Sequence, residues 1–310
     1  MPDIEREVEE LIREAYDLHM HVGPDILPRK YTVNKLIAEE EGKIAGVALK
    51  SHCFPTISSI ADALHHQDSS LNLIGSITLN YFMGGFNPSA LYASSIMSKK
   101  FPLIVWFPTV HAWNHLKHNY SDYEIPPEWV QDPDFKPRRK TELKAIRVSD
   151  DINNRLFEKC TKALNMAKRL NCVVATGHLS WPEAEILTIE ALEMGCKVIL
   201  THPMQKDIDM PLRVQVKLAR MGAMVEFCYV MYLDRDEPED YPLDLTAKYI
   251  NEIGAQNCII SSDAGQLKNQ GPSRCLKSFS ELLYGQGITL EQLESMAVKN
   301  PRIILGINEH

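Results

Sequence analysis

Eight short apolar runs, each separated from the next by a stretch of mostly helical period, constrain this chain more than any other feature. They cover residues 16–21, 46–52, 72–79, 103–109, 172–178, 196–202, 223–229 and 258–263. Most are apolar almost throughout, as expected of parallel strands covered on both faces. Helical candidates lie between them at 33–41, 58–67, 89–98, 151–170, 182–194, 209–221 and 243–253. Gly42, Gly195, Gly222 and Gly254 follow helices, where a C′ glycine ends the last turn. Strand and helix repeated to eight strands predict an α/β fold, a (β/α)8 TIM-like barrel, with a doubly wound open sheet as the next choice. A barrel takes 310 residues as one domain. The expectation is therefore a single domain over 1–310 with an extra helix over 3–14.

The remaining composition narrows the function classes. With 45% hydrophobic residues the chain has material for a large core, and its net charge of -8 disfavours nucleic acid as a partner. No run of about 18 apolar residues suits a membrane span, and the charged start lacks a secretory stretch. Seven cysteines without CxxC spacing read as reduced thiols, so the expected location is cytoplasmic.

One connection is far too long. Residues 110–150 separate the fourth run from its helix by about 40 residues, where a handful is usual. The segment carries His111, His115, His118, Trp113, Tyr120 and Tyr123. It reads as a functional lid at the mouth of the barrel, or else as a surface excursion making a homo-oligomer contact.

Active sites of such barrels gather at the C-terminal ends of the strands. There this sequence puts His19 and His21 (run one), Lys50 and His52 (run two), His178 (run five), His202 (run six) and Asp263 (run eight). Alternation along a strand points His19 and His21 the same way, and two neutral imidazoles suit zinc. A divalent ion there would turn water into hydroxide near neutral pH and polarise a substrate oxygen. Asp263 is placed to take the proton and pass it to a leaving group.

These residues resemble the amidohydrolase superfamily of metal-dependent hydrolases. The likeness rests on His19-Met20-His21, His178, His202 and Asp263 in order, and on a tail that reads Asn300-Pro301-Arg302-Ile303-Ile304-Leu305-Gly306. The resemblance implies that His19, His21 and Asp263 bind one metal. His178 and His202 would hold a second, or His178 would complete a one-metal site while His202 binds substrate. The superfamily often bridges two metals with a carboxylated lysine or a glutamate from strand four. Here that strand reads Trp106-Phe107-Pro108-Thr109-Val110-His111, with neither. Lys50 is the substitute, either carboxylated and bridging or as an ammonium that clamps an anion.

His52, His111 and Arg29 are the substrate-binding candidates. Glu226, a charge inside an apolar run, reads as a partner for a ligand histidine or as half of an interior ion pair. His65, His66 and the terminal His310 are assigned no role, and Gly84-Gly85 lacks the spacing of a nucleotide fingerprint. The expected activity is hydrolysis of a C–N or C–O bond in a small polar molecule by metal-bound hydroxide. The cofactor is one or two divalent ions, zinc before manganese, iron or nickel. A mononuclear decarboxylase, a phosphoesterase barrel and a metal-binding protein without turnover are the alternatives.

Overall fold

The computed structural model describes residues 4–98, 100–130, 134, 136–150, 155–233 and 242–307. Nine strands appear: β1 (Tyr16–His21), β2 (Gly46–Lys50), β3 (Asn72–Ile74), β4 (Ser76–Thr78), β5 (Ile104–Trp106), β6 (Val173–Ala175), β7 (Lys197–Leu200), β8 (Met224–Cys228) and β9 (Cys258–Ser261). They correspond to the eight expected runs, because Gly75 alone separates β3 from β4. All pairing is parallel, β1-β2-β3 in one ladder and β4 through β9 in the other. The far edge returns to β1. His21 N–H donates to Ala264 O at 2.7 Å and Asp263 N–H to His19 O at 2.8 Å, which joins the end of β9 to that of β1.

Alternation along the strands divides the apolar residues into two layers. Val105, Val174, Val198, Leu200 and Ile260 face the surrounding helices and belong to the large outer core. Ile104, Trp106, Val173, Ala175, Ile199 and Ile259 form a smaller cluster with Tyr16, Leu18, Ala48 and Ile74 inside the ring. On β1 the alternation breaks. Asp17 pairs with Val47 but Met20 pairs with Leu49, so Leu18 and His19 together oppose Ala48. This extra residue is a β-bulge. Tyr16 and Leu18 point inward below it, and above it His19 and His21 point inward while Met20 joins the outer core.

Six helices lie within two residues or so of their expected spans, among them Val33–Glu40, Trp181–Glu193 and Leu243–Ile253. The expected helix over 151–170 is shorter, Glu158–Arg169. Residues 151–154 lie outside the described residues. Leu156 is bridged to Ser149, and Phe157 N–H donates to Val148 O, so residues 156 and 157 are extended and the helix begins only after them. The structure adds a helix over Pro272–Gly285 that the strand-centred reading did not assign. The leading helix runs Ile4–Glu14 and buries Val8 and Ile12; residues 1–3 and 308–310, with His310, lie outside the described set. All seven cysteines are free and buried. Among the described residues no helix is long and apolar enough to cross a membrane.

Candidate metal centre

The bulge on β1 and the turn after β9 bring three donors together. His19 Nε2 and His21 Nε2 each stand 3.1 Å from Asp263 Oδ1. Ligands about 2.1 Å from a tetrahedral ion stand about 3.4 Å from one another, so this spacing fits one divalent ion. Of the site histidines, His19, His21, His52 and His202 are buried and His178 is half-buried at the cavity wall. Burial first, with smaller contributions from neighbouring imidazoles, Arg29 and Lys50, holds His19 and His202 down at about 3, and His21, His52 and His178 well below the usual imidazole value. They are neutral at pH 7, as metal ligands must be.

Glu226, inside β8, settles which nitrogen of His19 faces the site. Its Oε2 lies 3.2 Å from His19 Nδ1, so a proton on Nδ1 leaves the Nε2 lone pair free for Asp263's side of the ring. Glu226 is fully buried, and burial raises its pKa. Glu226→Leu is expected to weaken divalent-ion binding by about 10- to 100-fold, and Glu226→Gln, which keeps an acceptor oxygen, by less. A competitive chelator titration measures this; equal affinities in all three proteins would deny Glu226 the role.

Lys50 is 1% exposed, with its Nζ 2.9 Å from His19 Nε2 and 4.3 Å from the centre of the Trp106 ring. The His19 ring lies 4.4 Å from the same indole. Trp106 thus forms the floor, on the strand where the resemblance would have supplied a bridging ligand. Burial lowers the Lys50 pKa, and the carboxylates of Asp263 and Glu226 oppose that shift.

Backbone detail at the strand ends aims the remaining residues. Asp17 Oδ1 accepts from His19 N–H at 3.1 Å and Ser262 N–H at 3.0 Å, tying β1 to the turn that carries Asp263. His202 and Asp263 have φ of 26° and 50°, unusual for residues with side chains and common at functional turns. Thr201 Oγ1 accepts from Gly177 N–H, and Thr176 Oγ1 from Thr201 N–H, so the turns bearing His178 and His202 hold each other. Gly177 has a φ of 64°, and a Cβ there would stand 2.3 Å from Phe107 O. Gly177→Ala is expected to cost about 2–4 kcal/mol, from left-handed strain plus overpacking against a rigid carbonyl. Urea unfolding measures it; a loss below about 0.5 kcal/mol would mean the turn relaxes freely.

Above the three donors opens a cavity of about 630 Å³. His52, His178, His202 and Arg29 line it, with Gln205, Gln266 and Asn269. Arg29 is held by Asp25 through Nε at 2.9 Å and Nη2 at 2.7 Å. The ring centres of His178 and His202 are 5.2 Å apart, and those of His202 and His19 5.8 Å. Neither His178 nor His202 joins a compact group of three donors among the described residues; His19, His21 and Asp263 do. His19, Glu226 and Cys228 form a second such group, and His21, Asp25 and His52 a third.

His111 goes elsewhere. Its Nδ1 accepts from Tyr81 N–H at 3.1 Å, and its Nε2 lies 2.7 Å from Glu124 Oε2, which Arg138 also holds. It is absent from the cavity wall and instead pins the long loop. Burial pushes Glu124 up, but the bonds from His111 and Arg138 outweigh it and hold this carboxyl down at about 2. The loop's contribution to the cavity is His115, with Val110 and Trp129. The expectation of His111 as the substrate-binding histidine of this segment is thus corrected to His115, four residues on, a choice for which the segment carries no periodic signal.

The family model DUF6282, a family of unknown function, matches residues 14–226, more than two thirds of the chain. The chain belongs to this family. The DUF6282 match contains every histidine of the site, Lys50 and Glu226, and ends before Asp263. No curated protein matches significantly. Solved structures similar to this DUF6282 member include an amidohydrolase from Pseudomonas aeruginosa (10% identity, 96% of this chain and 99% of that one, TM-score 0.60). A second, from Acinetobacter baumannii, is described as a probable 2-pyrone-4,6-dicarboxylic acid hydrolase with citric acid bound (12%, 94% and 99%, TM-score 0.57). A third is the probable dipeptidase PvdM from Pseudomonas aeruginosa (11%, 99% and 98%, TM-score 0.57). At such identities the likeness establishes the fold, and that fold is the amidohydrolase-type barrel expected from the sequence.

Proposed function

We propose that this protein is a metal-dependent hydrolase of a C–N or C–O bond, using one divalent ion, zinc first, held by His19, His21 and Asp263. The observation that carries the reading is the convergence of two neutral Nε2 atoms on one carboxylate oxygen, each 3.1 Å from it, at the base of a cavity. An ion bound there supplies acidified water and polarises a carbonyl oxygen. Asp263 accepts the water's proton on its carboxylate and returns it to the departing nitrogen or oxygen. His52, His178 and His202 offer hydrogen bonds to substrate oxygens, and Arg29 binds an anionic group. Lys50, if neutral, can add CO₂ to become a carbamate and join the ligands; otherwise its ammonium holds an anion beside His19.

The outer wall of the cavity includes Leu27, Pro28, Val110, Trp129, Val230, Leu233 and Leu267. This argues for a substrate with an apolar portion beside its polar, hydrolysable group, and refines the small polar molecule expected from sequence. The one-ion arrangement also suits the decarboxylase alternative.

Elemental analysis combined with a panel of esters, lactones and amides of graded apolar size tests the proposal. The expected result is about one ion per chain, turnover lost on chelation and regained with a divalent ion, and rates rising with apolar size. CO₂ release from carboxylated substrates without any hydrolysis would favour the decarboxylase. A bound ion with no turnover on either panel would overturn the enzyme reading.

A further inference from the structure

The long loop delivers a second imidazole to His178. His115 sits in the short helix Trp113–His118, and its Nδ1 lies 3.2 Å from His178 Nδ1, with ring centres 5.1 Å apart. The helix is held from several sides. Asn114 Nδ2 donates to Asp207 O at 2.8 Å, Trp113 N–H donates to Ile146 O at 2.8 Å, and Leu116 is buried. The His115–His178 contact is therefore built into the fold.

Two Nδ1 atoms at hydrogen-bond distance need one proton between them, because two lone pairs or two N–H groups would repel. Both rings are neutral. Burial, the largest influence on each, lowers His115 to about 4 and His178 well below the ordinary imidazole value. With Nδ1 engaged, Nε2 is the nitrogen that His178 has left for the cavity. After burial, His115, His202 and then the charge of Lys50 disfavour positive charge on His178. The same field favours a lone pair over an N–H at that nitrogen.

We infer that His115 is a positioning residue: it accepts the Nδ1 proton of His178 and so fixes the tautomer in which His178 shows a bare Nε2 to the cavity. His178 then acts there as an acceptor, toward a cation or a substrate N–H or O–H, and not as a donor. This assigns the 110–150 insertion a chemical task in addition to lining the cavity. The consequence for substrate rests on the proposed hydrolase reading; the tautomer does not.

Long-range proton–nitrogen NMR of the full chain, labelled with ¹⁵N-histidine, reads the tautomer directly, with His178→Gln assigning the resonance. The expected result is His178 protonated on Nδ1 in the wild type and in His115→Asn, whose side-chain oxygen can replace the acceptor. His115→Phe is expected to shift His178 toward the Nε2-protonated form. With a substrate in hand, kcat/KM should fall about tenfold in His115→Phe and recover in His115→Asn. An Nε2 proton on His178 in the wild type, or an unchanged tautomer in His115→Phe, would overturn the inference. Either outcome is readable even if the hydrolase panel yields no turnover.

Discussion

His19→Ala is expected to lose its divalent ion, falling from about one per chain to below about a tenth, and to lose turnover by at least about 10³-fold. The effect is large because three interactions converge on one ring. Nε2 is the proposed ligand atom and lies 3.1 Å from Asp263 Oδ1, Nδ1 is held by Glu226 at 3.2 Å, and Lys50 lies 2.9 Å from Nε2. Alanine removes the ligand and leaves a buried carboxyl and a buried amine without their partner, at a cost on the order of 1–3 kcal/mol. The outer core shared by strands and helices does not involve His19, so the far-ultraviolet circular dichroism should stay that of the parent, with a modestly lower Tm. Elemental analysis of dialysed protein measures the ion. Full occupancy in the variant would remove His19 from the centre and with it the proposed chemistry.

Asp263→Asn separates binding from proton movement. The amide keeps an oxygen near His19 and His21, so a measurable part of the ion should remain, while turnover falls by about 10²–10⁴-fold because an amide cannot accept the proton. The left-handed backbone at this position, φ 50°, is tolerated by asparagine at least as well as by aspartate, so local strain does not confuse the result. Rate and metal content measured on one sample decide it. A variant with normal turnover would leave Asp263 as a ligand alone.

The cluster was legible in the sequence because it obeys a positional rule. His19, His21, Lys50, His52, His178, His202 and Asp263 each sit at or just past the end of an apolar run, and a closed ring of parallel strands brings such ends together. The long loop was legible as an anomaly of length but not in its contacts. His111 and His115 are four residues apart in a segment without strand or long-helix period, and tertiary anchors decide which one enters the cavity. Tyr81 and Glu124 engage His111, whereas Asn114 and Trp113 fix the turn that carries His115. The extended stretch before Glu158 was missed for a similar reason, since a cross-chain bridge from Ser149 to Leu156 overrides local helical preference.

The sequence by itself determined the eight-run alternation, the barrel it implies, and the fact that His19 and His21 share a face. Two residues apart on a strand, they must do so. Which face they share was decided only in the tertiary structure. Without the bulge, strict alternation from Tyr16 and Leu18 would point Met20 into the ring and turn both histidines outward to the helices. The extra residue opposite Ala48 reverses the phase, and a one-residue shift in a strand exchanges every side chain between its faces. Its register depends on pairing with β2, which no pattern within 16–21 records.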